Sequence, residues 1–185
     1  MNLPALQENG YVLPPISLEK RGKRTLILDL DETLVHSQFK NVQGADIVLS
    51  INISNNPKNI AMQKVYASKR PYCDEFLRGM APFYEVIMFT ASLSRYAGPL
   101  FKRLDPNEKL IDHCLYREHC TLVSGEFYVK DLNRLGRRLE DCIIIDNSPT
   151  SYMFQTENAL PCTSWYKDKK DTELFQFTSV LQKLA

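Results

Sequence analysis

Three short apolar runs, each ending on an acid or a hydroxyl, most constrain what this chain can fold into. Thr25-Leu26-Ile27-Leu28 runs into Asp29-Leu30-Asp31, Val86-Ile87-Met88-Phe89 into Thr90-Ala91-Ser92, and Cys142-Ile143-Ile144-Ile145 into Asp146-Asn147. Runs without polar alternation read as strands of a parallel sheet buried on both faces. Ligands of such sheets bind at the carboxyl ends of the strands. Asp29, Asp31, Thr90 and Asp146 are therefore expected where chemistry is done. An isolated Asp-x-Asp is more often a capped turn or a surface loop. The apolar strand before this one, and Thr33 two residues after it, lower that reading.

These residue types suit one kind of chemistry. Paired carboxylates bind a hard divalent cation, and Mg2+ takes one or two of them while keeping substrate phosphate in its shell. Closely spaced acids also have their pKa values pushed apart, which separates a nucleophile from an acid/base. A hydroxyl at Thr90 can hydrogen-bond an anion, and Lys130, in Tyr128-Val129-Lys130-Asp131, supplies a cation. Acids, hydroxyl and lysine at successive element ends make a phosphoryl-transfer set.

The ordered motifs resemble those of the haloacid-dehalogenase superfamily: Asp29-x-Asp31-x-Thr33, Thr90, Lys130 and Asp146-Asn147. Longer stretches resemble the small C-terminal-domain phosphatases within it. These are Leu28 through Ser37, Lys69-Arg70-Pro71, Phe89-Thr90-Ala91-Ser92, Tyr128 through Leu132, Ile145 through Pro149, Ser164-Trp165-Tyr166 and Asp171 through Leu174. Tyr116 through Leu122 also resembles the dullard-type branch.

The resemblance implies a Mg2+-dependent protein serine/threonine phosphatase. Asp29 is expected to attack phosphorus, and Asp31 to act as acid and then base. Thr90 and Lys130 would hold phosphoryl oxygens. Metal would be held by the Asp29 carboxylate, the Asp31 backbone carbonyl and Asp146, and the resemblance adds Asn147. Thr33 is assigned to loop shape as much as to chemistry, and His36 to loop structure. Phe39, Leu93 and Tyr96 are the candidates for the pocket in which the family binds a proline-containing phosphopeptide. By helical spacing alone, Leu93 and Tyr96 are more often core. Arg117 matches a substrate-side arginine of the family, with a surface ion pair as the equal alternative. The implied substrate is a phosphoprotein such as the RNA polymerase II C-terminal domain. Three other readings stand beside it: a small-molecule phosphatase, a dullard-type phosphatase of a lipid-metabolic enzyme, and a non-catalytic binding module on the same scaffold.

At 185 residues and a net charge of +1, the chain is one domain's worth, with no bulk charge favouring nucleic acid or a membrane surface. Lys20-Arg21-Gly22-Lys23-Arg24 reads as a solvated strand entry. Five cysteines without framework spacing suggest reduced thiols, hence a nuclear or cytoplasmic setting. His113-Cys114 and His119-Cys120 fit no common zinc spacing. No run is long enough to span a membrane, and a monomer is expected.

The expected architecture is α/β: a haloacid-dehalogenase-like parallel sheet flanked by helices, with a small antiparallel β insert after the first core strand. Core strands are expected over 24–29, 84–90 and 142–146. Helices are expected over 71–80, with Pro71 near its start, over 93–104, stopped by Asp105-Pro106, and over 172–184, with Asp171 as N-cap. Residues 38–68 break the alternation. Strands over 45–53 and 60–66, joined by a turn at 55–59, make an insert that must overhang the site. Residues 1–20, with Pro4, Pro14 and Pro15, read as an extended arm, and 21–185 as a single domain.

Overall fold

The computed structural model describes residues 10–54 and 60–185; residues 1–9 of the expected arm and the expected turn at 55–59 lie outside the described residues. Ten strands and three α-helices follow in chain order: β1 (Arg24–Leu28), β2 (Val35–Gln38), β3 (Ile47–Asn52), β4 (Met62–Lys69), α1 (Cys73–Met80), β5 (Tyr84–Phe89), α2 (Ser94–Leu104), β6 (His113–Leu115), β7 (Thr121–Val123), β8 (Phe127–Val129), β9 (Cys142–Asp146), β10 (Ala159–Pro161) and α3 (Glu173–Leu184).

The main sheet has the order β10-β9-β1-β5-β6, and every pair in it is parallel. The chain moves outward from β1 through β5 to β6, then returns to lay β9 and β10 on the other side. The strand order therefore reverses at β1 and β9, and a crevice opens at such a switch point. Leu28 pairs with Met88 on one side and Ile145 on the other, so the three expected strands end level. The site residues follow directly from those ends.

Alternate residues of these strands face two cores. Leu26, Leu28, Val86 and Met88 pack on Phe76 and Leu77 of α1, Leu100 and Phe101 of α2, and Leu174 and Leu181 of α3. Ile27, Ile87, Phe89 and Ile144 face Leu13, Leu132, Leu135 and Tyr152. That second face is covered by short 3-10 turns at Leu132–Leu135 and Pro149–Tyr152. Leu13 seals it, so the chain at Val12 and Leu13 lies against the body: the Val12 amide donates to the Arg134 carbonyl at 2.8 Å. Gly136 permits this contact. Its φ is 71°, and a Cβ there would meet the Tyr11 ring at 2.8 Å. Lys20, in the expected solvated cluster, instead pairs with Asp112 at 2.8 Å and donates to the Tyr84 carbonyl at 2.9 Å.

The insert is a three-stranded antiparallel sheet, β2-β4-β3. Two of its strands match those expected. The third, β2, includes His36, which sequence reading places in a loop. His36 Nδ1 lies 3.0 Å from the Glu32 carboxylate, and its ring packs edge-on against Tyr166.

Two helix starts also differ. Tyr72 takes a left-handed conformation (φ 64°), so α1 begins at Cys73 and Pro71 stays in the preceding turn. The buried Arg70 fixes that turn. Its guanidinium meets Asp171 at 2.7 Å, Glu173 at 2.6 Å and the Thr33 carbonyl at 3.3 Å. Thr172 takes the cap position of α3 but makes no side-chain cap; the Asp171 carboxylate, bound to Arg70, still accepts the Glu173 amide at 3.1 Å.

At the amino ends of the strands, opposite the site, Glu85 is buried yet charged. Arg137 binds it through Nε and Nη2, both at 2.7 Å, and Thr25 donates at 3.0 Å. Burial alone would raise its pKa, but the hydrogen bonds and charge of Arg137 hold it at about 2. A carboxyl moved from 4.5 to about 2 contributes about 3 kcal/mol of stability. That contribution is complete above the ordinary carboxylate range and is lost as pH falls from about 4.5 towards 2. Urea unfolding at about pH 7 and about pH 3 is expected to show a smaller loss on acidification in Glu85→Gln than in the native chain. Identical losses would exclude Glu85 as a source of acid sensitivity.

Candidate active site

The Asp29 carboxylate stands one residue beyond β1, and its amide donates to the Ile145 carbonyl of β9 at 3.0 Å. The loop that follows is wound tightly. Glu32 has φ 58°, its amide donates to the Val35 carbonyl, and its carbonyl accepts the Trp165 amide at 2.7 Å. Thr33 is fully buried and donates to the Asn147 side-chain oxygen at 3.3 Å. It therefore ties the loop after β1 to the loop after β9.

Lys130, fully buried at the end of β8, joins the two strand ends. Its Nζ lies 2.5 Å from Asp29 Oδ1 and 2.6 Å from Asp146 Oδ2. Burial pulls the Lys130 pKa down, but the two carboxylates outweigh it and hold the ammonium above its usual range. Burial pushes the Asp29 carboxyl up, against the pull of Lys130. Asp146 Oδ1 accepts the Ser148 amide at 2.8 Å. Thr90 accepts the Ser92 amide at 3.0 Å, which leaves its O–H to donate elsewhere.

Asp31 is held by both oxygens. The Tyr96 hydroxyl donates to Oδ1 at 2.5 Å and the Ser92 hydroxyl to Oδ2 at 2.8 Å. Burial and the negative charge of Asp31 raise the Tyr96 pKa far above its ordinary value, so the phenol remains a donor.

Two clefts meet at Asp31. The first, of about 420 Å³, is lined by Asp29, Asp31, Thr90, Arg117, Asp146 and Asn147, among others. The second, of about 400 Å³, shares Asp31, Glu32, Ser92 and Arg117 and is walled by Phe39, Val65, Leu93 and Tyr96. Every catalytic, metal or substrate-side candidate from the sequence thus lies in one cleft or the other, or, for Lys130, directly behind the first. Arg117 stands at the junction. Its Nε donates to the Ala91 carbonyl at 2.6 Å, and its guanidinium lies over the Tyr128 ring, 4.8 Å from the centroid. Phe39 is 60% exposed, so its ring is free to cover a ligand.

Some of the site escapes sequence reading. Ser92 grips Asp31, as does the hydroxyl of Tyr96, whose ring alone is expected in the pocket; Val65 of β4 walls the second cleft, and Glu126 and Phe127 of the β7–β8 hairpin line the first. The hairpin is signalled by Ser124-Gly125-Glu126 between Thr121-Leu122-Val123 and Phe127-Tyr128-Val129, and Ser124 and Gly125 have positive φ.

The donor set suits Mg2+. Asp29, Asp146 and Asn147 offer hard oxygens, and two carboxylates are within what this ion accepts. Asp29, Asp31 and Asp146 also carry more negative charge than Lys130 neutralises, and their mutual repulsion adds to the upward push of burial on Asp29. A divalent cation would offset both.

A parallel sheet with this strand order, carrying an Asp-x-Asp loop, a threonine, a lysine and a second acid at its strand ends, defines a haloacid-dehalogenase-like fold. The chain belongs to the NLI interacting factor-like phosphatase family, whose model matches residues 24–185. It is 44% identical over 180 residues to the human carboxy-terminal domain RNA polymerase II polypeptide A small phosphatase 2, covering 94% of this chain and 62% of that protein. It is 44% identical over 192 residues to Phosphatase PSR1 of Saccharomyces cerevisiae, covering all of this chain and 43% of that one. The chain thus spans about half the length of these curated relatives. The fold is similar to that of the fission yeast RNA polymerase II CTD phosphatase Fcp1 bound to beryllium fluoride, with a TM-score of 0.64 at 19% identity over 88% of this chain and 51% of that one. No described helix is long and apolar enough to cross a membrane.

Proposed function

We propose that this chain is a Mg2+-dependent protein phosphatase that removes phosphate from serine through an aspartyl-phosphate on Asp29. The observation that carries this reading is the buried Lys130 bridging Asp29 and Asp146 at 2.5 and 2.6 Å, with Asp31 opening on the same cleft. Lys130 orients the Asp29 carboxylate through Oδ1. An oxygen of that carboxylate forms a bond to phosphorus as the serine O–P bond breaks, and Asp31 delivers a proton to the departing serine oxygen. Water then attacks the phosphorus of the aspartyl-phosphate and gives its proton to Asp31, and phosphate leaves. Thr90 donates its O–H to a phosphoryl oxygen. Magnesium, held by Asp29, the Asp31 carbonyl, Asp146 and Asn147, would supply Lewis-acid stabilisation of the phosphoryl charge.

The relatives' names point to phosphorylated RNA polymerase II C-terminal-domain peptides as the first substrates to test, with a nuclear or cytoplasmic site of action. The decisive experiment is turnover of such peptides, phosphorylated at alternative serines, against sugar phosphates, with magnesium or with a chelator. Peptide turnover that vanishes in chelator and returns with magnesium supports the reading. A preference for sugar phosphates, or full activity in chelator, overturns it. Asp146→Ala is expected to raise the magnesium concentration needed for half-maximal activity more than Asn147→Ala, because it removes a charged ligand.

Phe39 provides a separate check on peptide recognition. Truncation to Ala is expected to lose ~1–3 kcal/mol of binding, the worth of burying such a side chain. The loss would appear as a raised peptide KM with kcat nearly kept. An aryl phosphate too small to reach the second cleft is expected to be unaffected. Equal loss on both substrates would make Phe39 structural.

A further inference from the structure

Tyr96 lines the apolar cleft and bonds to Asp31, which both clefts share. Its ring walls the apolar one beside Phe39 and Leu93, while its hydroxyl reaches Asp31 Oδ1 at 2.5 Å. Ser92 takes the other oxygen of Asp31 at 2.8 Å. Both donors sit on one short segment. The Ser92 amide is fixed by Thr90 at 3.0 Å, the Ser92 carbonyl accepts the Arg117 amide at 2.9 Å, and Tyr96 lies in the first turn of α2. The segment after β5 thus carries a phosphate-side hydroxyl, two grips on Asp31 and one wall of the apolar cleft.

From this geometry we infer that the Tyr96 hydroxyl is the positioning group for the acid, aiming the Asp31 carboxyl at the departing oxygen, in addition to the pocket role of its ring. The inference rests on the phosphatase reading above. A carboxyl on a loop has two freely turning side-chain bonds, and proton delivery requires it within hydrogen-bond reach of one particular oxygen. A short bond from a phenol on a rigid helix removes that freedom. Ser92 is the weaker partner, because its hydroxyl is itself on a loop. Since the ring and the hydroxyl belong to one side chain, the wall of the peptide cleft and the aim of the acid are mechanically one part.

The test uses two small substrates that do not enter the apolar cleft: capped phosphoserine, whose alkoxide must be protonated to leave, and p-nitrophenyl phosphate, whose leaving group needs little help. The quantity read is kcat/KM, which reports steps through the first irreversible one. Asp31→Asn is the reference, with capped phosphoserine falling by roughly 100-fold or more and the aryl substrate far less. Tyr96→Phe, which keeps the ring, is expected to reproduce that selectivity at smaller size. Capped phosphoserine is expected to fall roughly 10- to 100-fold, the worth of a hydrogen bond to a charged group, and the aryl substrate about twofold or less. Placed in the Asp31→Asn background, Tyr96→Phe is expected to cost nothing more.

Equal loss on both substrates would mean that Tyr96 is only structural. No loss on either would mean that it serves the pocket alone. Either result overturns the inference while leaving the phosphatase reading intact. If Asp31→Asn itself fails to separate the two substrates, the acid assignment falls instead.

Discussion

Asp29→Asn is expected to abolish turnover, with a loss on the order of 10⁴-fold or more, the scale seen when a covalent catalyst loses its nucleophile. An amide oxygen does not attack phosphorus, so no covalent phospho-enzyme should form when the protein is quenched in acid during turnover and examined by intact mass. The substitution is nearly isosteric, and the new amide could still accept from Lys130 through its oxygen, so the fold should survive. Circular dichroism and an unchanged unfolding midpoint would establish that. Activity within about tenfold of the native chain would end the aspartyl-phosphate mechanism.

Lys130→Met is expected to damage both activity and stability. The native ammonium sits with no exposure between two carboxylates, one of them 1% exposed. Removing it leaves buried negative charge without a partner, which costs about 3–5 kcal/mol. For a domain of this size that is a fall in Tm of about 6–20 °C. A divalent cation bound by the same carboxylates would return part of the missing charge, so magnesium should raise the Tm of Lys130→Met more than that of the native chain. A Tm unchanged by the substitution in chelator would mean that the carboxylates relax or protonate at little cost, and the bridge would lose its structural standing.

The three strands ending in acids or threonine are legible because a buried parallel strand has a signature that few other elements share. Leu26, Ile27 and Leu28 are all fully buried, as are Ile144 and Ile145, and a surface strand would alternate. Burial on both faces also dictates that the polar residues come at the ends, so reading the strand also places the acids. The order of the strands is not legible in the same way. It depends on pairings such as Thr25 with Cys142, which no local pattern encodes.

One helix start is misread for a related reason. Pro71 carries the usual N-terminal signal, but it follows Arg70, whose buried guanidinium with several partners fixes the turn and outweighs a local preference worth about 1 kcal/mol. Strand β2 escapes because Val35-His36-Ser37-Gln38 is short and mostly polar, and it exists only by pairing with β4. In the site, the residues assigned to the reaction are readable by type and spacing. Those that hold them are not. From the sequence Ser92 looks like a loop residue and Tyr96 like a pocket or core residue on a helix face, and only the meeting of α2 with the loop after β1 gives them Asp31.

The pairing of β1 with β9 has a consequence for the chain as it leaves the ribosome. Asp29 meets Lys130 across 101 residues, and Thr33 meets Asn147 across 114. β1 can pair early with β5, but its other edge has no partner until β9 has been made. At an elongation rate of about 5–20 residues per second, that edge waits several seconds or more after β5 emerges. During that interval a strand buried along nearly its whole length in the finished fold, backed by a half-built core, presents unpaired amides and carbonyls to its surroundings. The same topology that sets the carboxylates side by side leaves that edge open in the nascent chain until β9 is made, and pausing of translation between β5 and β9 is expected to increase its aggregation.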